Sequence, residues 1–248
     1  MSNCEFCRIK LFTVFVVLII AFSGAAQEIN QPSKDSTLPS KSLDAGEAPT
    51  ANENGYKLRR GTKEFNVEFG YSPFQPTFFA EKEYDTKNRS LALATFRFGR
   101  VIGTKGPVTY QYLFEANPLV IAFKNEVENR AYRSPQETPG VAPTIRKTVY
   151  GAGIEPAVFR FIFRPSKRFK PYAQVGAGFI VFNRALPIPA ATGFNFTGDF
   201  GGGVQFYLSP KQAISLGYRY FHISNFDITK TNPGYNANVF YLGYSFFK

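Results

Sequence analysis

Apolar and polar residues alternate along the chain from Thr62 to the C-terminus in repeated runs of about ten residues. In the first run Phe65, Val67, Phe69 and Tyr71 alternate with polar residues and glycine. A period of two predicts β-strands, because successive side chains of a strand point to opposite faces. The predicted strands cover residues 64–71, 90–100, 108–116, 148–163, 171–182, 194–208, 212–224 and 236–247.

The connections between these eight runs alternate in length. The long ones cover residues 73–89, 124–147, 183–193 and 225–235, and the short ones cover 101–107, 164–170 and 209–211. This alternation is typical of outer-membrane barrels, in which short turns face the periplasm and longer loops face the exterior. Pro156 interrupts the fourth run and predicts a bulge or bend there. We therefore predict an all-β fold, an eight-stranded antiparallel transmembrane β-barrel whose interior is filled by side chains.

The N-terminal part of the chain predicts export followed by a linker. In residues 1–26, Arg8 and Lys10 precede an apolar run over 11–22 and a cluster of small residues, which is the organisation of a signal peptide. The apolar run is shorter than the roughly 20 residues that a spanning helix needs. Residues 27–61 are polar and contain almost no large apolar side chain, so we predict a disordered arm before a barrel over 62–248.

The composition supports this interpretation and narrows the chemistry. The chain has 28 Phe, 14 Tyr and 21 Gly, which favour pleated and turn-rich structure. Cys4 and Cys7 both precede the apolar run of the signal, and with a single histidine the exported chain is a poor candidate for a metal site. The net charge of +11 suits nucleic acid or an anionic membrane. Because no nucleic-acid motif occurs, we favour the membrane and predict no nucleic-acid partner.

The C-terminal segment bears on the localisation. Residues 239–248 are rich in aromatic side chains and resemble the terminal strand that the outer-membrane assembly machinery recognises. Alternation alone also fits a soluble lipocalin-like barrel, whose apolar side chains face inward. The export signal, the short turns and the aromatic end favour the outer membrane.

The only histidine, His222, lies two residues before Ser224 at the end of the seventh run. Residues two apart in a strand share a face, with Cα atoms roughly 6.5–7 Å apart, so the pair is a candidate general base and nucleophile. Both share the parity of Ile214 and Leu216, which we expect to face lipid. Since a long connection follows, the pair is predicted to lie at the height of the outer leaflet.

These residues also carry a resemblance. The stretch 217–225, with Asn232-Pro233-Gly234 and Asn236 after it, resembles the C-terminal signature of lipid A 3-O-deacylases, an outer-membrane acyloxyacyl hydrolase family with an eight-stranded barrel. The likeness extends over 62–248 and is most specific in the last four strands. Further matching segments are 170–172, 176–178, 194–197 and 201–204.

The resemblance implies a serine esterase that removes an ester-linked 3-hydroxyacyl chain from lipid A of lipopolysaccharide, without a metal or cofactor. Ser224 would be the nucleophile, His222 the general base and Asn225 an oxyanion donor. The family has a glutamate fourteen residues after the histidine, where this chain has Asn236. An Asn carbonyl can accept the imidazole N–H but cannot stabilise the imidazolium as a carboxylate does. Asp227 is the alternative acid in the following loop.

A second hypothesis is a non-catalytic small barrel whose loops bind surface ligands. It rests on Asn236 and on the basic residues of the 124–147 connection, which are Arg130, Arg133, Arg146 and Lys147. A pore is disfavoured, because eight strands leave no open channel. The sequence leaves open the acyl position, the chain length and whether the protein forms a homodimer.

Overall fold

The computed structural model describes residues 53–75 and 89–248, which include a closed antiparallel barrel. The predicted signal peptide and residues 27–52 of the predicted arm lie outside the described residues. Sequential strands pair with one another and β8 closes onto β1, so the predicted fold and strand order are confirmed. The strands are β1 (Lys63–Ser72), β2 (Ser90–Lys105), β3 (Val108–Glu128), β4 (Thr144–Phe163), β5 (Phe169–Leu186), β6 (Thr192–Ser209), β7 (Gln212–Ser224) and β8 (Tyr235–Phe247).

Within the described residues, no helix has the length and apolar character needed to cross a membrane. The regular structure outside the barrel is a short 3₁₀ turn over Glu53–Tyr56. We define the loop end of the barrel as the end that carries the connections 73–89, 129–143, 187–191 and 225–234. The turn end is the opposite end of the barrel.

The strands are longer at the loop end than the alternation predicted. β3 and β4 continue as a paired ladder to Glu128 and Thr144, so both ends of the predicted 124–147 loop are strand and the connection is 129–143. The β5–β6 connection likewise shrinks to 187–191. We attribute both differences to the surroundings of the protruding hairpins. Because both faces of these hairpins contact water, their sequences need not alternate between apolar and polar residues. The bulge predicted at Pro156 is confirmed by a register shift between Ile154 and Ala157.

The barrel is apolar outside and charged inside. Arg97 and Arg219 are fully buried, and both bond to the Glu115 carboxylate, at 2.5 Å from Arg97 Nε and 2.9 Å from Arg219 Nη1. A soluble barrel has the opposite polarity, so this is a transmembrane barrel of the outer-membrane type, as predicted. Large exposed side chains on its outer wall include Phe65, Phe69, Phe96, Phe98, Phe159, Phe179, Phe200, Leu216, Phe240 and Leu242.

Two apolar layers enclose the charged interior. Towards the loop end the layer includes Leu91, Val149, Phe221, Ile223 and Val239. Towards the turn end it includes Val101, Ile162, Tyr172, Tyr207 and Phe247. The charged groups are thus separated from both mouths of the barrel by buried hydrophobic side chains.

The segment before β1 closes the turn end. Leu58 is buried in the apolar layer there, and the Tyr56 ring packs edge-on against Tyr207 with centroids 6.2 Å apart. Lys170 Nζ donates to the Tyr56 carbonyl at 2.9 Å. Residues 55–61, which the polar composition assigned to the arm, therefore pack as part of the barrel.

Candidate functional site

The candidate site lies on the outer wall of β7 and β8 at the loop end. Along β7, Ile214 and Leu216 are exposed whereas Ser215 and Arg219 are buried inside the barrel. His222 and Ser224 continue the outward parity. Both residues are therefore on the outer face of the barrel wall, at its loop end.

His222 and Asn236 form the central contact of the site. They are directly opposed in the β7–β8 ladder, and Nδ1 of the imidazole lies 2.5 Å from Oδ1 of the amide. With the amide oxygen as acceptor, the imidazole N–H donates from Nδ1, which leaves the Nε2 lone pair to accept a proton. Asn236 rather than Asp227 is thus the residue opposite the imidazole.

The position of Asn236 is also held by a residue that follows β1. Its backbone N–H donates to Gln75 Oε1 at 3.3 Å, and Gln75 is buried just beyond the end of β1. The asparagine side chain is almost fully buried as well. The partner of His222 therefore has little freedom to turn away.

Ser224 is nearby but not bonded to the imidazole. In the part of the chain that the structure describes, no hydrogen bond joins the Ser224 hydroxyl to His222. Ser224 is 8% exposed and faces Phe196 across the ladder, whose ring packs edge-on against Phe226 at 5.5 Å. Residues two apart on one face of a strand have Cα atoms roughly 6.5–7 Å apart, and catalytic contacts often tighten only when substrate binds.

Asn225 organises the loop that follows Ser224. Its Nδ2 donates to Thr229 Oγ1 at 2.7 Å and to the Thr231 carbonyl at 2.9 Å. Its Oδ1 accepts the Asp227 N–H, and its own N–H donates to Asn232 Oδ1, both at 3.0 Å. Both amide hydrogens of Asn225 are therefore engaged within the loop rather than directed at Ser224.

Two glycines lie beside His222. Gly198 is the cross-strand neighbour of His222 on β6, and a Cβ atom at this position would meet no other atom within 4 Å. Gly234 has a φ of +67°, and a Cβ there would lie 3.5 Å from His222 Cε1. The absence of a side chain at Gly198 thus leaves one side of the partly buried imidazole uncovered, whereas Gly234 packs close to it.

The opening at Gly198 continues across the outer wall as a row of small residues. Gly198 pairs with Ala177 of β5, and Ala177 pairs with Ala157 of β4. Phe196 and Phe179 border this small-residue row (Gly198, Ala177 and Ala157) towards the loop end. Its border towards the turn end is formed by Phe200, Val175 and Phe159. The result is an apolar groove that begins at His222.

The groove descends into the membrane. The directly paired residues can be followed from strand to strand around the barrel, starting at His222 of β7. This path returns to β7 at Gln212, ten residues nearer the turn end, so a line across the strands descends towards the turn end. Three inter-strand steps of about 4.8 Å give a length of about 14 Å, and a strand tilt of about 40° makes it roughly 9 Å deeper at its far end. The circuit passes Gly198, Ala177, Ala157, the bulge beside Phe114, Phe98, Phe65 and Phe246.

The structure brings His222 and Asn236 together, places Ser224 beside them and engages Asn225 in the loop. Sequence reasoning missed Gln75 and the small-residue row. Ala177 and Gly198 interrupt the larger apolar residues at the outward positions of their runs, and this interruption is visible in the sequence. Their alignment depends on strand register, which the alternation does not determine. Across the described residues, no cluster of three or more His, Cys, Asp or Glu side chains could hold a metal ion.

The family comparison agrees with the resemblance seen in the sequence. Residues 124–245 match the model of the lipid A 3-O-deacylase (PagL) family, which confirms the resemblance over this part of the chain. No curated protein matches the chain.

Several solved structures are similar to the chain. The outer membrane enzyme PagL is 16% identical, with a TM-score of 0.41 over 74% of this chain and 98% of that one. The attachment invasion locus protein Ail of Yersinia pestis is 14% identical, with a TM-score of 0.40 over 77% and 100% of the two chains. OprG from Pseudomonas aeruginosa is 10% identical, with a TM-score of 0.44 over 78% and 98%.

Proposed function

Because residues 124–245 match the lipid A 3-O-deacylase family, we propose that the chain is an outer-membrane serine esterase that removes an ester-linked 3-hydroxyacyl chain from lipid A. The observation that carries the proposal is the 2.5 Å contact between His222 Nδ1 and Asn236 Oδ1 on the lipid-facing wall. This contact orients a histidine base beside Ser224 on the outer wall of the barrel. A polar pair at this location does not contribute to the protein core.

In the proposed reaction, the Ser224 oxygen attacks the ester carbonyl carbon while His222 Nε2 takes the hydroxyl proton. The tetrahedral intermediate collapses as the sugar oxygen leaves with that proton, and the acyl group stays on Ser224. Water, deprotonated by His222, then hydrolyses the acyl-enzyme and regenerates the serine. Asn236 Oδ1 accepts the imidazole N–H throughout.

The oxyanion of this intermediate requires a hydrogen-bond donor. We propose Asn225 for this role, with one of its amide hydrogens turning from Thr229 or Thr231 towards the substrate. The exchange replaces a neutral hydrogen bond by a charge-assisted one, which is roughly twice as strong. Binding of the substrate would then rearrange the 225–234 loop.

The groove suits the acyl chain of such a substrate. It begins beside the base and nucleophile, is lined by small apolar residues between aromatic rows, and runs from the outer-leaflet height towards the middle of the bilayer. An ester at the membrane surface with its chain in the hydrocarbon core has the same orientation. The reacting carbonyl would therefore meet Ser224 without the chain leaving the membrane.

Production of the full chain in a Gram-negative host tests the proposed function. We expect the mass spectrum of extracted lipid A to show loss of one 3-hydroxyacyl chain relative to cells carrying the empty vector. An unchanged lipid A spectrum, with the folded protein present in the outer membrane, would overturn the proposal.

Filling the groove should impair long substrates selectively. Replacing Ala177 with Leu is expected to lower kcat/KM for lipid A about tenfold, because the added side chain occupies the path of the acyl chain. Hydrolysis of a water-soluble short-chain ester should change less than twofold. Ala173→Leu is the matched control, since Ala173 has the same outward parity on β5 but pairs with Gly202, away from the groove. Equal losses in the two variants would contradict the assignment.

A non-catalytic binding barrel is the second candidate, favoured by the amide at position 236. The protruding β3–β4 hairpin has exposed basic residues, including Lys124, Arg130 and Arg133. Binding of lipopolysaccharide that survives His222→Ala but is lost when residues 129–143 are replaced by a short turn would support this function over the esterase.

A further inference from the structure

The turn end of the barrel is strongly basic. Its exposed cations among the described residues include Lys57, Arg59, Arg60, Lys63, Arg100, Lys105, Arg164, Arg168, Lys211 and Lys248. The segments 55–63, 99–108, 163–171, 209–213 and 246–248, which form this end, contain no Asp or Glu. The nearest acid in β1, Glu64, is buried and is bound to Arg160 inside the barrel. The exposed positive charge at this end is therefore not balanced by acids of its own segments.

Three of these cations form a row across adjacent strands. Lys63 at the start of β1 is directly opposed to Arg100 of β2. On its other side Lys63 exchanges two backbone hydrogen bonds with Lys248, at 2.7 and 2.9 Å. Like charges directly opposite each other on one face of a sheet are destabilising. This cationic row (Lys248, Lys63 and Arg100) thus brings three side-chain cations together where its own strands present no exposed Asp or Glu side chain to bind them.

The cationic row faces lipid rather than the aqueous mouth of the barrel. Lys63 has the outward parity of Phe65, and Arg100 that of Phe98. One pleat nearer the membrane centre, Phe65 pairs with both Phe98 and Phe246, and these three rings are exposed on the outer wall. An aromatic row beside a cationic row marks the boundary between acyl chains and headgroups.

A second contact repeats this arrangement on the other side of the barrel. The Arg168 guanidinium lies over the ring of Phe206, with Cζ 4.7 Å from the centroid, and Phe206 is an exposed residue of β6. The Nε atom of Arg168 donates to the Tyr207 carbonyl at 2.6 Å. Cations at two separate places on the rim therefore neighbour lipid-facing aromatic residues.

We propose that the cationic row is a binding site for the phosphate of an anionic phospholipid in the leaflet on the turn side of the membrane. The phosphate lies between Lys63 and its two neighbours, and the acyl chains of the same lipid cover Phe246, Phe65 and Phe98. The sideways direction of the row favours a lipid over a soluble polyanion, which would approach along the barrel axis. This site is independent of the proposed esterase activity.

Lipid enrichment in nanodiscs tests the proposal. The full chain is reconstituted in phosphatidylcholine with a minor fraction of phosphatidylglycerol, and the lipids retained by the protein are quantified by native mass spectrometry. We expect phosphatidylglycerol to be enriched severalfold over its bulk fraction. In the triple variant Lys63→Gln, Arg100→Gln, Lys248→Gln the enrichment should fall at least twofold.

A charge-matched variant separates a site from a general effect of net charge. The control is Lys105→Gln, Arg164→Gln, Arg184→Gln, which removes the same charge at exposed positions away from the cationic row and should retain the wild-type enrichment. Equal losses in both triple variants, or no enrichment in the wild type, would overturn the proposal. Far-ultraviolet circular dichroism verifies that each variant is folded.

Free phosphate is the alternative ligand with the same chemistry. Amine-reactive labelling of Lys63 and Lys248 in phosphatidylcholine alone should be slowed by added phosphatidylglycerol but not by millimolar inorganic phosphate. Protection by inorganic phosphate to the same extent would identify a free-anion site and overturn the lipid assignment.

Discussion

Replacing Asn236 with Asp is expected to raise the turnover of lipid A deacylation by about 10²–10⁴-fold. The substitution puts a carboxylate oxygen where Asn236 Oδ1 now lies 2.5 Å from His222 Nδ1, with little change in shape. A carboxylate stabilises the imidazolium that forms when His222 takes the serine proton, which a neutral amide cannot do. In a serine protease, the reverse change of the triad acid to its amide lowers turnover by about 10⁴. Steady-state kinetics with purified lipid A in mixed micelles measure the gain.

The same substitution one pleat away is the control. Asn238 shares the outward face of β8 but is opposed to Tyr220, and its Oδ1 accepts the Tyr218 hydroxyl at 2.7 Å. Asn238→Asp should therefore give no gain in turnover. A rise of similar size in both variants, or no rise in Asn236→Asp, would contradict the assignment of residue 236 as the catalytic partner of His222. Asn236→Glu restores the residue type of the family and should also increase turnover.

Removing either reacting group should abolish the activity. Ser224→Ala eliminates the oxygen that attacks the ester, and His222→Ala eliminates the group that takes its proton. Each is expected to lower kcat by about 10³-fold or more, and the double variant should be no worse than either single one, because a nucleophile and its base act as a unit. Lipid A mass spectra from cells and kinetics of the purified variants measure the loss.

Tyr218→Phe provides the comparison for this pair. It also removes a hydroxyl from the outward face of β7, but one that is bonded to Asn238 rather than placed beside His222. We expect it to retain at least half of the wild-type turnover. Full activity of Ser224→Ala would exclude the proposed nucleophile, whereas additive losses in the double variant would indicate that the two residues act separately.

The parts of the fold that lie in lipid could be predicted well from the sequence. The membrane forces Ile214 and Leu216 outward and Ser215 and Arg219 inward, so period-two alternation identifies β7 and the facing of His222. By the same rule Asn236 has the outward parity of Phe240 on β8, and the ladder places it opposite His222. Local polarity is informative wherever each face of a strand has a different solvent.

The other parts of the fold and of the candidate site depend on contacts between segments that are distant in the sequence. The small-residue row requires the register of three strand pairs, and a shift by one residue would replace Ala177 with inward-facing residues of β5. The engagement of Asn225 by Thr229 and Thr231 is specific to the folded loop, because hydrogen-bonding capacity does not reveal the partner. Leu58 follows a polar segment, and its burial depends on an apolar layer whose residues come from six different strands.

The guanidinium of Arg219 has a consequence for assembly. It lies 2.9 Å from Glu115 on β3, 3.7 Å from Glu155 on β4, 3.9 Å from Asp199 on β6 and 3.7 Å from Glu68 on β1. An incompletely closed sheet would leave these charges without partners and exposed to hydrocarbon, where each is costly. Insertion and closure of the sheet should therefore occur together, and a partly inserted intermediate should not accumulate.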